Sequence, residues 1–447
     1  MPESRPAGTV VSTLIKAPWI VTMDGARRVL ENHCVLIDKG RIVALLPQDQ
    51  TQFSAQEIID LPDQVLMPGL INAHCHASMS LFRGLADDLP LMTWLNDHIW
   101  PAEGRWVSEE FTHDGALLAM AEMIRSGTTC FSDMYFFPNV VARAVKDVQM
   151  RAQLAFPILD FPSAWAQNAD DYLRKGLQLH DAFRNHDLIH IGFGPHAPYT
   201  VSDAPLQKVA AFSAETNMPI QMHIHETAFE VEDATLKSGK HPLQRLHELG
   251  LLTPQMQAVH MTQLNEYEIA LLAQTGTHVV HCPESNLKLA SGFCPVAKLL
   301  EAGVNVALGT DGAASNNDLD MFGELRTAAL LAKGVAQNPS AVPAHQALAM
   351  ATINGARALG IDQVTGSLEI GKSADLIAVK LDDVTCQPFY HIESQLVYAT
   401  PSSQVSNSWV AGKRLMKNRE LTTIDLPAVL KRAAEWKNKI AAQDKPS

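Results

Sequence analysis

Two kinds of hydrophobic pattern alternate along the chain. Residues 10–65 and the stretch from Gly366 onward hold short β-branched runs between turns, such as STLIKAPWIVTMDG and GSLEIGKSADLIAVKLDD. Short runs of this kind are typical of strands. Between the two ends, apolar runs of strand length are followed by longer helical stretches, which is the pattern of βα units around a parallel sheet.

Eight central segments fit strands of this parallel sheet. They are VLMPGLINAHCH, GTTCFSDMY, AQLAFPIL, IHIGFGPHAPY, PIQMHIHET, QAVHMTQ, THVVHCPESN and NVALGTDGAA. The intervening stretches show helical spacing, as after Ser108, where apolar residues recur with a period of three or four before Gly127. The apolar positions of that helix are Leu117, Met120, Ala121 and Ile124. The pattern predicts an α/β fold, a (β/α)8 TIM-like barrel.

The strand-like runs at the two ends predict a second, smaller domain, a β-sandwich built from both chain termini. We expect residues 1–65 to form its first part, residues 66–361 the barrel, and residues 362–447 its second part with a C-terminal helix. The 447 residues, 47% of them hydrophobic, are enough for a large core and a small one.

Composition narrows the class of protein. The formal charge of −13 argues against nucleic acid as a partner, because binding phosphates needs clustered lysine and arginine. Six cysteines without a CxxC motif argue against disulfides and thiolate zinc sites. With no signal-peptide pattern and no apolar run long enough to span a bilayer, we expect a cytoplasmic protein without membrane contact.

Histidines and acids gather where the predicted strands end, and this is where barrel enzymes hold their catalytic groups. The residues concerned are His74, His76, His196, His223, Glu226, His260, His281 and Asp311. Eighteen histidines placed at random would not favour these ends. We therefore predict a metal site at this face of the barrel.

The spacing of the histidines has a physical reason. In HCH, His74 and His76 are two apart on a strand and share a face, so Cys75 points away as a buried apolar residue. In MHIHET the same alternation places His223 and His225 together, and spacing alone does not select the ligand. Imidazoles together with the carboxylate of Asp311 suit zinc, or alternatively iron(II), better than calcium or magnesium.

Several longer motifs carry a family resemblance. The run PGLINAHCHASMSLFRGLADDLPLMTWL…WPAE, followed in order by GPHAPYT, HIHET, VHMTQL, HCPESNLKLASG and LGTDGAASNN, resembles the amidohydrolase superfamily. More narrowly, it is similar to the methylthioadenosine/S-adenosylhomocysteine deaminases, in the branch that also holds triazine hydrolases and guanine deaminases. The resemblance covers nearly the whole chain, and it implies a homo-oligomer, a dimer or tetramer.

The resemblance implies a ligand set and catalytic roles. The ligands of one divalent metal are expected to be His74, His76, His223 and Asp311. A single metal is expected because strand four ends in His196 and not in the lysine of binuclear relatives. Water made nucleophilic by the metal would attack C6 of adenine, with Glu226 as proton carrier and with Asp311 and His260 taking or orienting the water proton. His225 and His281 are left as supporting residues outside the ligand set.

Substrate contacts follow from the same resemblance. Glu103 of WPAE and His196 are expected to hold the nucleoside, with Glu103 accepting from the ribose hydroxyls, and Trp94 is expected to form an apolar wall. Some relatives meet the carboxylate of S-adenosylhomocysteine with arginines in residues 152–175, where this chain has Phe156 and Asp171. We therefore expect a preference for 5′-methylthioadenosine, with the homocysteine compound and adenosine as slower substrates.

Two other functions stay open at this level. A guanine- or cytosine-type base deaminase, or a triazine hydrolase, needs only a different pocket around the same metal. A scaffold protein that has lost its chemistry would be expected to purify without stoichiometric metal, whereas this chain keeps every expected ligand and Glu226.

Overall fold

The computed structural model describes residues 10–50 and 54–443. The strands in these ranges form two sheets. Five precede the barrel: β1 Val10–Val21, β2 Val29–Asp38, β3 Arg41–Pro47, β4 Ser54–Asp60 and β5 Gln64–Pro68. Eight belong to the barrel: β6 Leu70–Cys75, β7 Thr128–Asp133, β8 Arg151–Ile158, β9 Ile189–Pro195, β10 Ile220–Ile224, β11 Met256–His260, β12 His278–His281 and β13 Val306–Leu308. Four follow it: β14 Leu376–Lys380, β15 Val405–Val410, β16 Lys413–Lys417 and β17 Glu420–Leu421.

Helices cover the barrel and connect the strands. In chain order they are α1 Leu91–Thr93, α2 Trp100–Trp106, α3 Glu109–Arg125, α4 Pro138–Val148, α5 Ala169–Phe183, α6 Asp203–Thr216, α7 Ala228–Ser238, α8 Pro242–Glu248, α9 Glu266–Thr275, α10 Pro283–Lys288, α11 Val296–Glu301, α12 Met321–Ala336, α13 Ala344–Met350, α14 Ile353–Ala358, α15 Ile392–Tyr398 and α16 Leu426–Gln443. A π-helical turn, Trp94–Ile99, joins α1 to α2. None of the helices in the described ranges meets the length and hydropathy needed to cross a membrane.

The predicted barrel is confirmed. Its eight strands are parallel and lie in the order β13-β12-β11-β10-β9-β8-β7-β6. Hydrogen bonds close the gap between the first and last strands, since Asp311 N donates to His74 O at 3.0 Å and Asn72 Nδ2 donates to Thr310 Oγ1 at 2.7 Å. This close approach needs a glycine, because a Cβ at Gly309 would lie 2.7 Å from His74 N.

The predicted helix after Ser108 is also confirmed. The Ser108 hydroxyl accepts from Phe111 N at 3.2 Å and caps α3, which ends just before Gly127. Two of the apolar positions used for the prediction, Met120 and Ile124, are fully buried. The 3.6-residue periodicity therefore identified the face that packs on the barrel.

The strands from the two chain ends form one nine-stranded sheet. This agrees with the prediction of a separate β-domain built from both termini. The order of the strands is β17-β16-β15-β14-β5-β1-β2-β3, with β4 paired to β1. The two ends of the chain meet where β5 pairs antiparallel with β14. Buried residues of both halves, among them Ile20, Val35 and Trp409, pack in one core. The predicted division at residues 65 and 361 stays a prediction.

A buried ion pair ties this sheet to the barrel. Arg151, at the start of β8, donates from Nε to Asp375 Oδ2 at 2.7 Å, and the two side chains are 2% and 0% exposed. Burial by itself raises the pKa of Asp375, but Arg151 and other donors outweigh burial and hold that pKa below its usual value. The carboxylate is thus ionised in the folded protein.

We expect Asp375→Asn to lower the free energy of unfolding by about 3–5 kcal/mol at pH 7, because it leaves a buried guanidinium without its counter-charge. Because the pKa of Asp375 is lower in the folded protein than in the unfolded chain, its ionised form stabilises the fold. This stabilisation is complete above about pH 4 and is lost as the pH falls through the folded-state pKa. Urea unfolding should therefore show the gap to wild type shrinking in acid. Asp181→Asn, which breaks an exposed pair with Arg184, serves as the control; equal stability of the Asp375 variant and wild type at pH 7 would contradict this role.

Candidate metal centre and its cavity

Four side chains from three barrel strands converge at the carboxyl-terminal end of the barrel. His74 lies in β6 and His76 just after it, His223 lies in β10, and Asp311 follows β13 by three residues. One ligand atom of each lies within 4.8 Å of the ligand atoms of the other three. The four residues expected as ligands therefore form one potential metal-binding group.

Hydrogen bonds orient the three imidazole rings. His76 and His223 place Nδ1 2.6 and 2.7 Å from backbone carbonyl oxygens. His74 places Nδ1 2.8 Å from Gln221 Oε1, while the amide nitrogen of Gln221 faces other acceptors. In its neutral form each ring thus carries its proton on Nδ1 and presents the Nε2 lone pair to the centre, as in metal-bound histidines.

Three of the six distances between the ligand atoms match those around a tetrahedral ion, and all six are within 4.8 Å. His74 Nε2 lies 3.2 Å from His223 Nε2 and 3.4 Å from Asp311 Oδ1, and His76 Nε2 lies 3.2 Å from Asp311 Oδ1. Ligands at about 2.0–2.1 Å from a tetrahedral zinc lie roughly 3.3 Å from one another. Converging nitrogen lone pairs repel unless a cation lies between them, so the group fits one divalent ion that accepts nitrogen and oxygen ligands.

The carboxylate of Asp311 is held in one orientation. Its Oδ2 accepts from the hydroxyls of Ser285 and Ser315 at 2.7 and 2.8 Å, which leaves Oδ1 facing the histidines. Burial raises the pKa of Asp311, but the neighbouring rings of His74 and His76 outweigh burial and hold that pKa well below its usual range. The centre therefore contains an ionised carboxylate beside imidazoles.

The structure separates His223 from His225, which the sequence left equivalent. β10 ends at Ile224, and His225 adopts a left-handed backbone conformation with φ 53°. The β alternation ends there, and the His225 ring turns away from the centre. Its Nδ1 lies 2.7 Å from Gln263 O, and its Nε2 accepts from Leu243 N at 3.2 Å.

Glu226 and His260 lie beside the four ligands and face the same cavity. The nearest carboxylate oxygen of Glu226 is 3.7 Å from His260 Nε2. Burial, reinforced by the charges of Asp311 and Glu230, raises the pKa of Glu226 well above its usual value. A carboxyl group that keeps its proton near neutral pH can act as a general acid. Burial lowers the pKa of His260 to about 3, so that ring is neutral.

The cavity beside the metal centre is largely apolar. Its volume is about 220 Å³. Its apolar wall consists of Leu91, Trp94, Leu95, Ile99, Phe136, Pro157, Leu159 and Phe161, among others. Much of this wall is the helical segment from α1 to α2. That segment shares a hydrophobic cluster with Trp436 of the C-terminal helix α16.

The three residues predicted to contact substrate all line this cavity: Glu103, Trp94 and His196. Burial raises the pKa of Glu103 to about 7, against the opposing effects of Tyr135 and His76. Burial lowers the pKa of His196 to about 4, so its ring is neutral. Trp94 is 6% exposed, and its indole nitrogen has no partner among the described residues.

The described cavity wall contains no lysine or arginine. Of the two positions where the family resemblance suggested a comparison with arginines, Phe156 is buried and packs against Phe193 with ring centroids 5.2 Å apart, and Asp171 pairs with Arg174 on α5. The same segment instead contributes apolar and neutral residues to the cavity, such as Phe161. The wall thus offers no cation to a ligand carboxylate.

His281 and several polar residues complete the surroundings of the centre. His281 is 1% exposed, and its Nδ1 has no partner among the described residues, so its supporting role stays a prediction. Spacing did not identify four polar residues, of which three contact expected metal ligands and Asn286 contacts His260. The three are Gln221, Ser285 and Ser315. Isolated serines and amides carry no spacing signal, and only the motif HCPESN pointed to this turn.

Comparisons with known proteins agree with this geometry. Residues 65–415 match the model of the amidohydrolase family. The chain is 55% identical to the 5-methylthioadenosine/S-adenosylhomocysteine deaminase of Saccharophagus degradans, over 99% of both chains. It is 42% identical to the 5′-deoxyadenosine deaminase of Methanothermobacter thermautotrophicus, over 94% of this chain and 97% of that protein. The crystal structure of an adenosine deaminase from Xanthomonas campestris with bound zinc has a TM-score of 0.96 and 49% identity, covering 97% of this chain and 99% of that one.

Proposed function

Since this chain belongs to the amidohydrolase family, we propose that it is a metal-dependent aminohydrolase of adenine nucleosides, with 5′-methylthioadenosine as its preferred substrate. It replaces the 6-amino group by oxygen and releases ammonia. The observation that carries the proposal is the convergence of the His/His/His/Asp group and the buried Glu226 on one apolar cavity. Relatives named as deaminases of methylthioadenosine and 5′-deoxyadenosine support it.

We assign the metal as zinc, because a group of three imidazoles and one carboxylate suits it. Iron(II) is the alternative. A zinc ion held by His74, His76, His223 and Asp311 would supply the Lewis acid that makes water nucleophilic near neutral pH. The predicted cytoplasmic homo-oligomer stays a prediction.

The residues of the chain move the protons. Asp311 Oδ1 accepts a proton from the attacking water, and Glu226 donates its proton to the ring nitrogen N1 as C6 becomes tetrahedral. The proton held by Asp311 then restores Glu226. The second proton of the water passes to the departing amine, so one water is consumed and one ammonia is released.

Ribose binding gives a test of the nucleoside class. We expect Glu103→Gln to lower kcat/KM for 5′-methylthioadenosine by about 10- to 100-fold, because a carboxylate forms stronger hydrogen bonds to the two hydroxyls than an amide does. Turnover of 2′,3′-dideoxyadenosine, which lacks both hydroxyls, should change little. Steady-state kinetics on both substrates measure the difference. An unchanged kcat/KM for the best substrate would contradict nucleoside binding and favour a free base or a triazine.

The cavity wall predicts which 5′ substituent is preferred. We expect kcat/KM for 5′-methylthioadenosine to exceed that for S-adenosylhomocysteine by at least about tenfold, because no cation in the described wall meets the amino-acid carboxylate. Phe161→Arg should raise the value for S-adenosylhomocysteine, and Phe161→Met is the matched control without charge. An equal or higher value for S-adenosylhomocysteine with the wild-type protein would contradict this preference.

The test of the whole proposal is a substrate panel. The zinc-loaded protein is offered adenine nucleosides, guanine, cytosine and triazines, and ammonia release is followed. The proposal predicts ammonia from the adenine nucleosides, with the absorbance change of adenine to hypoxanthine. Ammonia release from a free base alone would contradict the proposal and favour a base deaminase. Dechlorination or deamination of a triazine would contradict it and favour a triazine hydrolase.

A further inference from the structure

The one-turn helix after β12 contacts two candidate catalytic groups through neighbouring residues. Ser285 donates to Asp311 Oδ2 at 2.7 Å, and the Asn286 side-chain nitrogen lies 2.9 Å from His260 Nδ1. Asn286 and His260 are each 1% exposed. The proton transfers proposed for Asp311 and Glu226 do not determine whether His260 donates or accepts a proton.

We propose that Asn286 is a positioning residue that fixes the tautomer of His260, with the ring proton held on Nε2. The proposal deepens the deaminase function and rests on it for its consequence in catalysis. An amide nitrogen can only donate, so the Nδ1 atom that faces it must be an acceptor. A neutral imidazole carries one proton, which then lies on the other nitrogen, Nε2.

The orientation of the Asn286 amide supports this assignment. As placed, its nitrogen bonds His260 and its oxygen lacks a partner among the described residues. Rotating the amide by 180° would bring the oxygen to His260 and leave both buried N–H groups without a partner, whereas the orientation as placed leaves one N–H and the oxygen without one among the described residues. A buried carbonyl oxygen without a partner is better tolerated than a buried N–H without one, which disfavours the rotated form.

The consequence concerns the side of the ring that faces the cavity. His260 Nε2 points toward Glu226, whose nearest oxygen is 3.7 Å away. With the proton on Nε2, His260 donates a hydrogen bond to an oxygen in the cavity and does not take a proton from water. His260 therefore orients the water, and Asp311 is the group that accepts its proton.

The first readout is spectroscopic and independent of turnover. Zinc-loaded protein labelled with ¹⁵N-histidine gives the tautomer of His260 from the ¹⁵N shifts and couplings of its two ring nitrogens, assigned by comparison with His260→Gln. The wild type should carry the proton on Nε2. Asn286→Asp, whose carboxylate accepts a hydrogen bond, should move the proton to Nδ1. A wild-type proton on Nδ1 would overturn the proposal.

The second readout is kinetic. Asn286→Asp should lower kcat by roughly 100-fold or more with KM little changed, since a reversed histidine tautomer is very costly in other hydrolases. Asn286→Leu, of similar volume and without charge, should fall between it and wild type. Zinc content and melting temperature show that each variant is folded. Unchanged kcat in Asn286→Asp would also overturn the proposal, whereas a wild type with the Nε2 tautomer and no nucleoside turnover would overturn the deaminase function alone.

Discussion

Replacing Glu226 by glutamine is expected to lower kcat for 5′-methylthioadenosine by about 10³- to 10⁴-fold, near the upper range for losing a general acid. Glutamine keeps the size of the side chain and its place in the cavity wall, but it has no proton to give to the ring nitrogen. Burial and the charges of Asp311 and Glu230 raise the pKa of Glu226 well above its usual value, which favours the protonated form that a general acid needs. Stopped-flow or steady-state absorbance at the adenine band measures the loss.

The control for this variant is Glu230→Gln. Glu230 is also buried, at 8% exposed, but it accepts from the backbone nitrogens of His225 and Glu226 and does not line the cavity. Its replacement should cost less than about tenfold in kcat. Both variants should keep full zinc content, because neither belongs to the ligand group. A Glu226 variant with near wild-type kcat would remove this residue from proton transfer.

A second large effect is expected at Asp311. Asp311→Asn should lower kcat by about 10⁴-fold or more and weaken zinc binding, because the carboxylate would both hold the ion and accept the proton of water. An amide of the same shape keeps the hydrogen-bonding positions but neither the charge nor the basicity. Metal analysis after dialysis against a weak chelator measures zinc, and ammonia release measures turnover.

Asp133→Asn is the matched control for Asp311→Asn. Asp133 ends β7 near the same face, is 1% exposed, and accepts from Ala77 N at 2.7 Å, but it lies outside the ligand group. It should keep stoichiometric zinc. Full zinc retention and turnover in the Asp311 variant would show that the carboxylate neither binds the ion nor takes the proton.

Much of the fold and most residues of the metal centre could be predicted, because in a barrel the position of a residue along its strand determines which other residues lie near it. Parallel strands bring their carboxyl ends together, so His74, His223 and Asp311 could be grouped while lying far apart in sequence. The pairing of the two chain ends was likewise visible in the short strand-like runs. Periods of 2 and 3.6 residues identified the elements, and strand order followed.

Other features depend on local backbone geometry and were not predictable from spacing. The alternation that joined His223 to His225 fails because β10 ends at Ile224 and His225 takes a positive φ. The contacts of Ser285 and Asn286 arise because the short helix α10 places Ser285 against Asp311, which follows β13, and Asn286 against His260, which ends β11. Such contacts join residues far apart in sequence through single hydrogen bonds. They therefore produce no periodic pattern in the sequence.

The most direct measurement of the metal centre is anomalous diffraction at the zinc edge from crystals grown with zinc. One peak is expected about 2.0–2.2 Å from the Nε2 atoms of His74, His76 and His223 and from Asp311 Oδ1. A zinc peak elsewhere, with these four atoms too far apart to share an ion, would contradict both the centre and the deamination built on it.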